Sequence, residues 1–162
     1  MKTLFILRHA KSSWEDTDLS DFDRPLNERG RSAAPLVGGV MRTNQFQPDV
    51  ILSSPAKRAK ETAALVKETA EIAGEIRFDR RIYEASPAKL LEVVAEQNGN
   101  IESILLVGHN PGLEGLVRFL TGESQPMPTA ALAVIDLDTD EWNGINSASG
   151  SLRVLIRPKD LQ

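Results

Sequence analysis

The chain contains no cysteine among its 162 residues. Disulfide bonds, thiolate zinc sites and cysteine nucleophiles are therefore excluded. Histidine is almost as scarce, because only His9 and His109 occur, and aromatic side chains make up 5% of the residues. Long apolar runs are missing too: the first one, Leu4 to Leu7, is too short for a signal-peptide core or a membrane span. We therefore expect a cytoplasmic protein that does not contact membranes.

Positive charge is in slight deficit. The chain has 19 lysines and arginines against 23 acidic residues, which gives a formal net charge of -4. Nucleic acids and anionic membranes attract proteins through a long-range positive field, so neither is expected as a partner, and any basic site must be local. The length and the 41% share of hydrophobic residues predict a single domain over residues 1–162 with a core of ordinary size.

Short leucine-rich and β-branched runs alternate with alanine-rich amphipathic segments along the chain. This alternation is typical of βαβ units and predicts an α/β fold, a three-layer α/β/α sandwich with a mostly parallel sheet. Two late strands follow each other without a helix, which predicts an antiparallel strand pair at the sheet edge. The predicted strands are 3–7, 49–53, 75–78, 103–107, 130–137 and 151–157, and the predicted helices are 28–43, 55–73, 87–97 and 111–121.

Proline marks the start of three predicted helices, where it directly follows a residue that can cap the helix. These dipeptides are Ser54-Pro55, Ser86-Pro87 and Asn110-Pro111. In the first helix, by contrast, Pro35, Gly38 and Gly39 fall in the interior, and each is expected to kink or weaken it.

Both histidines come directly after a predicted buried strand, as Arg8-His9 and as Gly108-His109. In an open parallel sheet, ligands bind in the crevice at the carboxyl ends of the strands. Two strand-end histidines can therefore face each other there, although a hundred residues separate them in sequence. The arginine beside the first histidine indicates an anionic ligand, and the pair predicts an active site.

The segment from Arg8 to Ser13 surrounds a histidine with cations and hydroxyl groups. A phosphoryl acceptor needs such a set, because an imidazole nitrogen attacks and fixed donors hold the oxygens. An isolated Arg-His pair is more often only a polar strand end. Arg58, predicted in the first turn of the second helix, favours the functional interpretation instead, because a helix N-terminus and a guanidinium together favour a bound oxyanion. The neighbouring lysines could form a solvated face instead, but cations there oppose the helix dipole, and a bound anion would explain them better.

Two further segments carry candidate site residues. His109 lies between small residues that let the backbone approach a ligand, and Asn110 can cap the next helix. An incidental histidine in a tight turn is the alternative, which the presence of His9 makes the weaker one. Glu84 precedes a predicted helix, and it is either one of many surface acids or a proton donor to a leaving oxygen.

These segments together resemble the histidine phosphatase superfamily, also called the phosphoglycerate mutase-like fold, and within it the small phosphohistidine phosphatase branch. The resemblance spans residue 3 to about 120 in the right order, and segments 21–30 and 127–132 are also similar to the family's. One departure is Ala10, where the family's most typical tripeptide has glycine. The four motifs are Leu7 to Ala10, Ser53 to Ala63, Tyr83-Glu84 and Val107 to Pro111.

The resemblance implies a role for each matched residue. His9 would be the nucleophile that becomes phosphorylated, and Arg8 and Arg58 would hold the phosphoryl oxygens. His109 would donate to the same oxygens, and Glu84 would be the general acid. The resemblance further implies a metal-independent phosphatase without a cofactor, in which protein cations replace the usual metal.

The spacing of the motifs leaves no room for a lid over the site. One helix and one strand fit between Arg58 and Glu84, and one more helix fits between Glu84 and His109. An open mouth suits a phosphate displayed on a protein better than a small sugar phosphate that must be enclosed. We therefore expect phosphohistidine in a protein as the substrate.

Three alternatives remain open. The chain could be a small-molecule phosphomonoesterase of the same superfamily. It could also be a phosphate-binding module without turnover, although such a module would not need His9 as a nucleophile. A metal site made of the two histidines is disfavoured, because Arg8 and Arg58 would repel a divalent ion. Further candidates for substrate contact are Lys11, Ser12 and Asn110.

Overall fold

The structure is a computed structural model that describes residues 1–161, and every predicted strand and helix is present in it with small shifts at the ends. None of the helices in this range combines the length and the apolar character that crossing a membrane requires. The strands are Lys2–Arg8 (β1), Val50–Ser53 (β2), Ile76–Phe78 (β3), Ser103–Gly108 (β4), Leu132–Leu137 (β5) and Gly150–Ile156 (β6). The helices are Glu28–Thr43 (α1), Lys57–Ala70 (α2), Pro87–Ala95 (α3) and Gly112–Thr121 (α4).

The six strands form one mixed sheet in the order β3-β2-β4-β1-β5-β6. Strands β3, β2, β4 and β1 pair in parallel, whereas β5 is antiparallel to both β1 and β6. The predicted antiparallel pair at the edge is therefore confirmed. Because β5 alone runs against the rest of this sheet, the edge strand β6 points the same way as β1, and both end at the same side of the molecule.

Side chains of β1 alternate between two cores, as the two-residue period of a strand requires. Leu4 and Ile6 pack with α3 and α4 on one face of the sheet. Phe5 and Leu7 pack with α1 and α2 on the other face. The chain is thus the predicted three-layer α/β/α sandwich.

Helix α1 is continuous although Pro35 lies inside it. Asn27 caps its start by accepting a hydrogen bond from the Gly30 backbone N–H at 2.9 Å. Close packing on α2 explains why glycine is tolerated in this helix: a Cβ at Gly38 would overlap the Thr69 side chain of α2. Packing therefore compensates for the low helix propensity that led us to expect a weakened helix.

The predicted capping residues differ in how they are used. Ser86 caps α3 as expected, because its hydroxyl accepts from the Lys89 backbone N–H at 3.2 Å. Asn110 Oδ1 accepts from the backbone N–H of Glu114 in the first turn of α4 at 3.2 Å. Helix α2 begins only at Lys57, slightly later than predicted, after a residue with extended ψ and no side-chain cap.

Candidate active site

His9 follows the last residue of β1 and is 6% exposed. Its Nδ1 lies 2.7 Å from the Ala10 carbonyl oxygen. A carbonyl oxygen only accepts, so Nδ1 carries the proton and Nε2 keeps its lone pair. Burial lowers the pKa of His9 to about 4, and the nearby charges of Arg58 and Arg8 act in the same direction. At neutral pH the ring is therefore neutral, with a free nitrogen that can act as a nucleophile.

Helix α2 holds the chain that carries this ring. The Ala10 backbone N–H donates to Thr62 Oγ1 at 3.0 Å, and the Thr62 hydroxyl donates to the Arg58 carbonyl at 2.7 Å. Ala10 itself is fully buried in the α1–α2 core. The extra methyl relative to glycine, which was the departure from the family's tripeptide, therefore fits inside the core.

The His109 ring lies beside His9, with 5.1 Å between the ring centroids. Its Nε2 is 2.8 Å from Ser54 Oγ, which also accepts from the Ala56 backbone N–H at 3.2 Å. No other acceptor for the Ser54 hydroxyl proton lies within hydrogen-bond distance in residues 1–161, so we assign that proton to the bond with Nε2 and the proton of His109 to Nδ1. Burial lowers the pKa of His109 to about 3, with His9 and Arg58 acting in the same direction. His109 is thus a neutral hydrogen-bond donor.

Two guanidinium groups border the histidines. Arg58 Nη1 and Nη2 donate to the Asp21 carbonyl at 2.7 Å and to Asp21 Oδ2 at 2.9 Å. Arg8 Nη1 donates to the Met127 carbonyl at 3.1 Å, and burial lowers the pKa of Arg8 from its ordinary value. Each guanidinium is thus fixed at its Nη end.

Buried donors without a partner are concentrated at this place. Within residues 1–161, four buried side-chain nitrogens lack a hydrogen-bond partner, and three of them belong to Arg8 (Nε), Arg58 (Nε) and His109 (Nδ1). Buried polar atoms are nearly always paired in folded proteins. Three unpaired donors on residues that line one cleft with His9 fit an anionic ligand that accepts from all of them.

These side chains line a cleft of about 330 Å³ at the carboxyl ends of β1 and β4. The sequence predicted the site at these carboxyl ends of the strands. The full lining is Arg8, His9, Lys11, Ser12, Trp14, Asp21, Arg24, Arg58, His109, Asn110 and Thr129.

Comparison with known proteins identifies the family. A sequence model of the Histidine phosphatase superfamily (branch 1) matches residues 4–89, which is more than half of the chain. The chain belongs to the histidine phosphatase superfamily. An uncharacterised protein of Mycobacterium tuberculosis (strain H37Rv) is 34% identical over 157 residues, which cover 90% of this chain and 96% of the relative.

Solved structures agree with this family. A protein from Agrobacterium tumefaciens, provisionally assigned as the phosphohistidine phosphatase SixA, has a TM-score of 0.84 and 29% identity and covers 97% of this chain and 98% of its own. A second structure, the protein histidine phosphatase SixA complexed with tungstate, has a TM-score of 0.81 at 24% identity, with 99% of both chains covered. At that identity the second structure supports the fold alone.

Asp21 is a residue of this histidine phosphatase that the sequence did not single out. Its carboxylate accepts from the Tyr83 hydroxyl at 2.6 Å, from Arg58 at 2.9 Å and from Arg24 at 3.1 Å. Burial opposes its ionisation, but the hydrogen bonds from Tyr83 and Arg58 lower the pKa of Asp21 to about 2. The sequence predicted that the cations at the start of α2 attract a bound anion. The Asp21 carboxylate of the chain itself supplies part of that negative charge.

Arg24 and Trp14 complete the mouth of the histidine phosphatase cleft, and both were missed as well. Arg24 Nη1 donates to Ser12 Oγ at 2.8 Å, so the Ser12 hydroxyl keeps its own proton for another acceptor. The Arg24 guanidinium also stacks 3.4 Å from the centre of the Trp14 ring, which is 72% exposed. Arg24 lies in segment 21–30, which resembled the family, but spacing alone gave no residue of that segment a role, and Trp14 lies outside it.

The other candidates from the sequence line the cleft or the cavity next to it. Lys11, Ser12 and Asn110 line the cleft. The Asn110 side-chain amide already donates to Glu114 Oε1 at 3.0 Å and to the Met127 carbonyl at 2.9 Å, so it ties α4 to the segment before β5. Glu84 is exposed, has a left-handed backbone with φ 53°, and lines an adjoining cavity of about 520 Å³ that Arg58 and His109 also line.

Proposed function

We propose that this histidine phosphatase hydrolyses phosphorylated substrates through a covalent intermediate on His9 Nε2. The observation that carries the proposal is a neutral histidine with a free ring nitrogen, surrounded by the orphaned donors of Arg8, Arg58 and His109. Pure phosphate binding has no use for an oriented nucleophile, so a binding module without turnover is the weaker alternative.

The first half-reaction transfers the phosphoryl group. The His9 Nε2 lone pair forms the new P–N bond while the bond from phosphorus to the leaving group breaks, and the leaving group takes that electron pair. The positive charge that develops on the ring is stabilised through Nδ1–H and the Ala10 carbonyl. Arg8, Arg58 and His109 hold the phosphoryl oxygens and neutralise their charge.

The second half-reaction regenerates the enzyme. A water oxygen attacks phosphorus, the P–Nε2 bond breaks, and the pair returns to His9 as phosphate leaves. Two guanidinium groups supply the positive charge that a metal provides in many phosphoryl transferases. We therefore propose that the reaction needs no metal or other cofactor.

Glu84 is proposed as the general acid for substrates that leave as an alkoxide. Glu84 lines a cavity that Arg58 and His109 also line, whereas Lys11 and Ser12 line the cleft but not this cavity. A leaving group that extends into this cavity would meet Glu84. The protonated carboxyl donates to the leaving oxygen, and the carboxylate then accepts a proton from the attacking water.

We propose phosphohistidine in a protein as the substrate. The 29% identical structure from Agrobacterium tumefaciens is provisionally assigned as a phosphohistidine phosphatase, which supports the phosphohistidine part of this proposal. The exposed Trp14 at the mouth and the absence of any long insertion between Arg58 and Glu84, where the chain forms only α2, β3 and a short turn, agree with access for a protein surface. A small phosphomonoester is the alternative substrate class.

Trapping the intermediate tests the mechanism. We expect that the enzyme mixed with a radiolabelled phosphohistidine peptide and quenched without acid carries one phosphate on His9. The His9→Ala variant should carry none and should have no turnover. The control is His109→Ala, which removes one oxyanion donor and should still accept phosphate, with a rate lower by roughly 10²–10³. Turnover that survives in His9→Ala, or label recovered on His109, would exclude this nucleophile.

A further inference from the structure

A further cavity, distinct from the one lined by Glu84, adjoins the catalytic cleft and plays no part in the proposed reaction. It measures about 530 Å³, within the range of roughly 300–1,000 Å³ that is common for ligand sites. Its walls are the start of α1, residues 128–129 before β5 and residues 157–159 after β6. Lys11 and Thr129 line both the cleft and this cavity, so a ligand that occupies one can extend into the other.

The charges in this cavity are mostly positive and are not paired within the chain. It is lined by four cations and one carboxylate, that of Glu28. None of the four cations forms an ion pair with a carboxylate anywhere in residues 1–161, whereas arginines such as Arg58, Arg81 and Arg153 do. The four cations are Lys11, Arg29, Arg157 and Lys159.

Arg157 provides a second, independent observation. Its Nε is the fourth buried nitrogen without a partner in the described chain, besides the three in the catalytic cleft. The residue directly follows β6, which ends at the same side of the sheet as β1. A guanidinium with an unpaired nitrogen therefore belongs to a residue that lines a cavity next to the catalytic cleft, in a protein whose net charge is -4. Positive charge gathered at one place of an acidic protein indicates an acidic partner.

The cavity also has an apolar floor. Leu36 is 39% exposed there, and Ala33, Pro128 and Pro158 contribute further apolar surface. An inorganic anion would not use such a floor. An extended peptide would use both parts, because its carboxylates pair with the rim while its apolar side chains and backbone cover the floor.

We propose that this groove, which is the cavity formed by Lys11, Arg29, Arg157 and Lys159 around Leu36, binds an acidic segment of the substrate protein next to the phosphorylated histidine. The proposal rests on the proposed function, since it assigns the substrate's flanking sequence to a surface beside the same nucleophile. Lys11 stands at the junction, so the segment runs from the phosphoryl group in the cleft into the groove. The groove would thus select acidic protein surfaces among all those that display phosphohistidine.

Two phosphohistidine peptides of equal length test this, one with glutamates on either side of the histidine and one with glutamines in their place. For the unaltered enzyme we expect a kcat/KM that is roughly tenfold higher on the glutamate peptide, as several exposed ion pairs would give. This preference should shrink as salt is added. Phosphoramidate, a small N-phosphoryl substrate with no flanking segment, serves as the reference for the intact reaction centre.

Variants locate the preference on the surface. Arg157→Gln/Lys159→Gln should abolish the preference for the glutamate peptide while leaving kcat/KM on phosphoramidate unchanged. Arg29→Gln, on the opposite wall, should reduce the preference and serves as a second variant if the first pair fails to fold. The matched control is Arg42→Gln/Arg77→Gln, which removes the same charge from exposed positions outside both cavities and should keep the preference.

The possible results separate the two proposals. Equal kcat/KM on both peptides, or a preference that survives loss of the groove cations, would overturn the groove and leave the histidine phosphatase activity standing. An enzyme that hydrolyses p-nitrophenyl phosphate but neither phosphoramidate nor any phosphohistidine peptide would overturn the substrate class, and the groove proposal with it.

Discussion

His9 receives its orientation from the backbone of the next residue, because the Ala10 carbonyl accepts the Nδ1 proton at 2.7 Å. Many catalytic histidines depend on a carboxylate for this purpose, whereas here a main-chain oxygen is enough. The acidic residue of the cleft, Asp21, is bonded to Arg58 and Tyr83 instead. The ring is consequently oriented without a nearby negative charge that would keep it protonated.

This arrangement predicts an unusual pH dependence. The pKa of His9 is lowered to about 4 by burial, so the free enzyme keeps the proposed nucleophile unprotonated well below the ordinary value near 6.5. We expect kcat/KM to stay level as pH falls through 6 and to decline only towards pH 4, when His9 gains a proton. The measurement is a kcat/KM profile on phosphoramidate, with circular dichroism at each pH as the control for folding. An acidic limb centred between pH 6 and 7 would contradict it.

The same lowered pKa values affect stability. Both His9 and His109 have pKa values in the folded chain below the value near 6.5 expected when it is unfolded. Between about pH 6.5 and pH 4 the unfolded chain therefore binds protons that the folded chain does not, and the free energy of unfolding decreases as the pH falls. Tight binding of a phosphate analogue to the folded form would offset part of this loss.

Glu84 separates the two substrate classes. An alkoxide leaving group needs a proton, and positioned acids typically contribute roughly 10²–10⁴-fold, whereas the imidazole nitrogen of phosphohistidine is a far better leaving group. We expect Glu84→Gln to slow hydrolysis of a serine or sugar phosphomonoester severely and to leave phosphohistidine hydrolysis nearly intact. Arg58→Ala, the comparison variant, should impair both. The assay is kcat/KM on the two substrate types, and equal losses in Glu84→Gln would remove the link to an N-phosphoryl leaving group.

At the scale of elements, helix α2 connects the site to the core. Its second residue, Arg58, borders the cleft, and Thr62, one turn later, binds the backbone of Ala10. Its opposite end packs on α1, where Gly38 allows close approach to Thr69. The packing of α2 on α1 therefore helps to fix the position of the Arg58 guanidinium relative to the His9 ring.

Two adjacent glycines of α1 test this packing as a matched pair. A Cβ added at Gly38 would collide with Thr69, whereas one added at Gly39 would meet nothing within 4 Å. We expect Gly38→Ala to lower the free energy of unfolding by about 1–3 kcal/mol, the usual effect of overpacking. Gly39→Ala should raise it by up to about 1 kcal/mol, because alanine is the better helix former. Urea unfolding of both variants gives the comparison, and similar shifts of the same sign would show that the α1–α2 contact is not tight.

The elements themselves were largely predictable, since they depend on local pattern. The 28–43 helix was predicted with its observed bounds despite Pro35. The start of α2 was placed too early, because Ser54 Oγ bonds to His109 and to the Ala56 backbone N–H, and no side chain caps the helix. Asp21 could not be given a role, since its partners Arg58 and Tyr83 are 37 and 62 residues away in sequence. Contacts of that kind come from tertiary packing, which no local pattern encodes.

At the scale of the whole molecule, strand order decides which residues meet. The parallel pairing of β1, β4 and β2 brings Arg8, Gly108 and Ser53 to one edge of the sheet. The segments that follow these strands, which carry His9, His109 and Ser54, therefore gather at that edge, as the two strand-end histidines had indicated. The reversed β5 returns the chain so that β6 ends there too, which adds Arg157 to the same side.

Charge at this edge leads to a prediction about metals and phosphate analogues. Because Arg8 and Arg58 provide the positive charge, kcat/KM should be unchanged in excess EDTA. Vanadate, which adopts the five-coordinate shape of the transition state, and tungstate should both inhibit competitively and raise the melting temperature. An activity that is lost to the chelator and restored by zinc or magnesium would count against a reaction that depends on protein cations alone. Arg58→Ala, as the control, should weaken the binding of both oxyanions.

The cleft contains both histidines of the entire sequence. In a sample labelled with ¹⁵N only at histidine, every imidazole resonance therefore comes from this cleft, and the two rings can be told apart with a single substitution. Nitrogen shifts would report the tautomer of each ring, the protonation of each during titration and the appearance of phosphorus coupling on one nitrogen. A polyhistidine tag would hide these signals and offer competing phosphate acceptors, so it has to be cleaved off first.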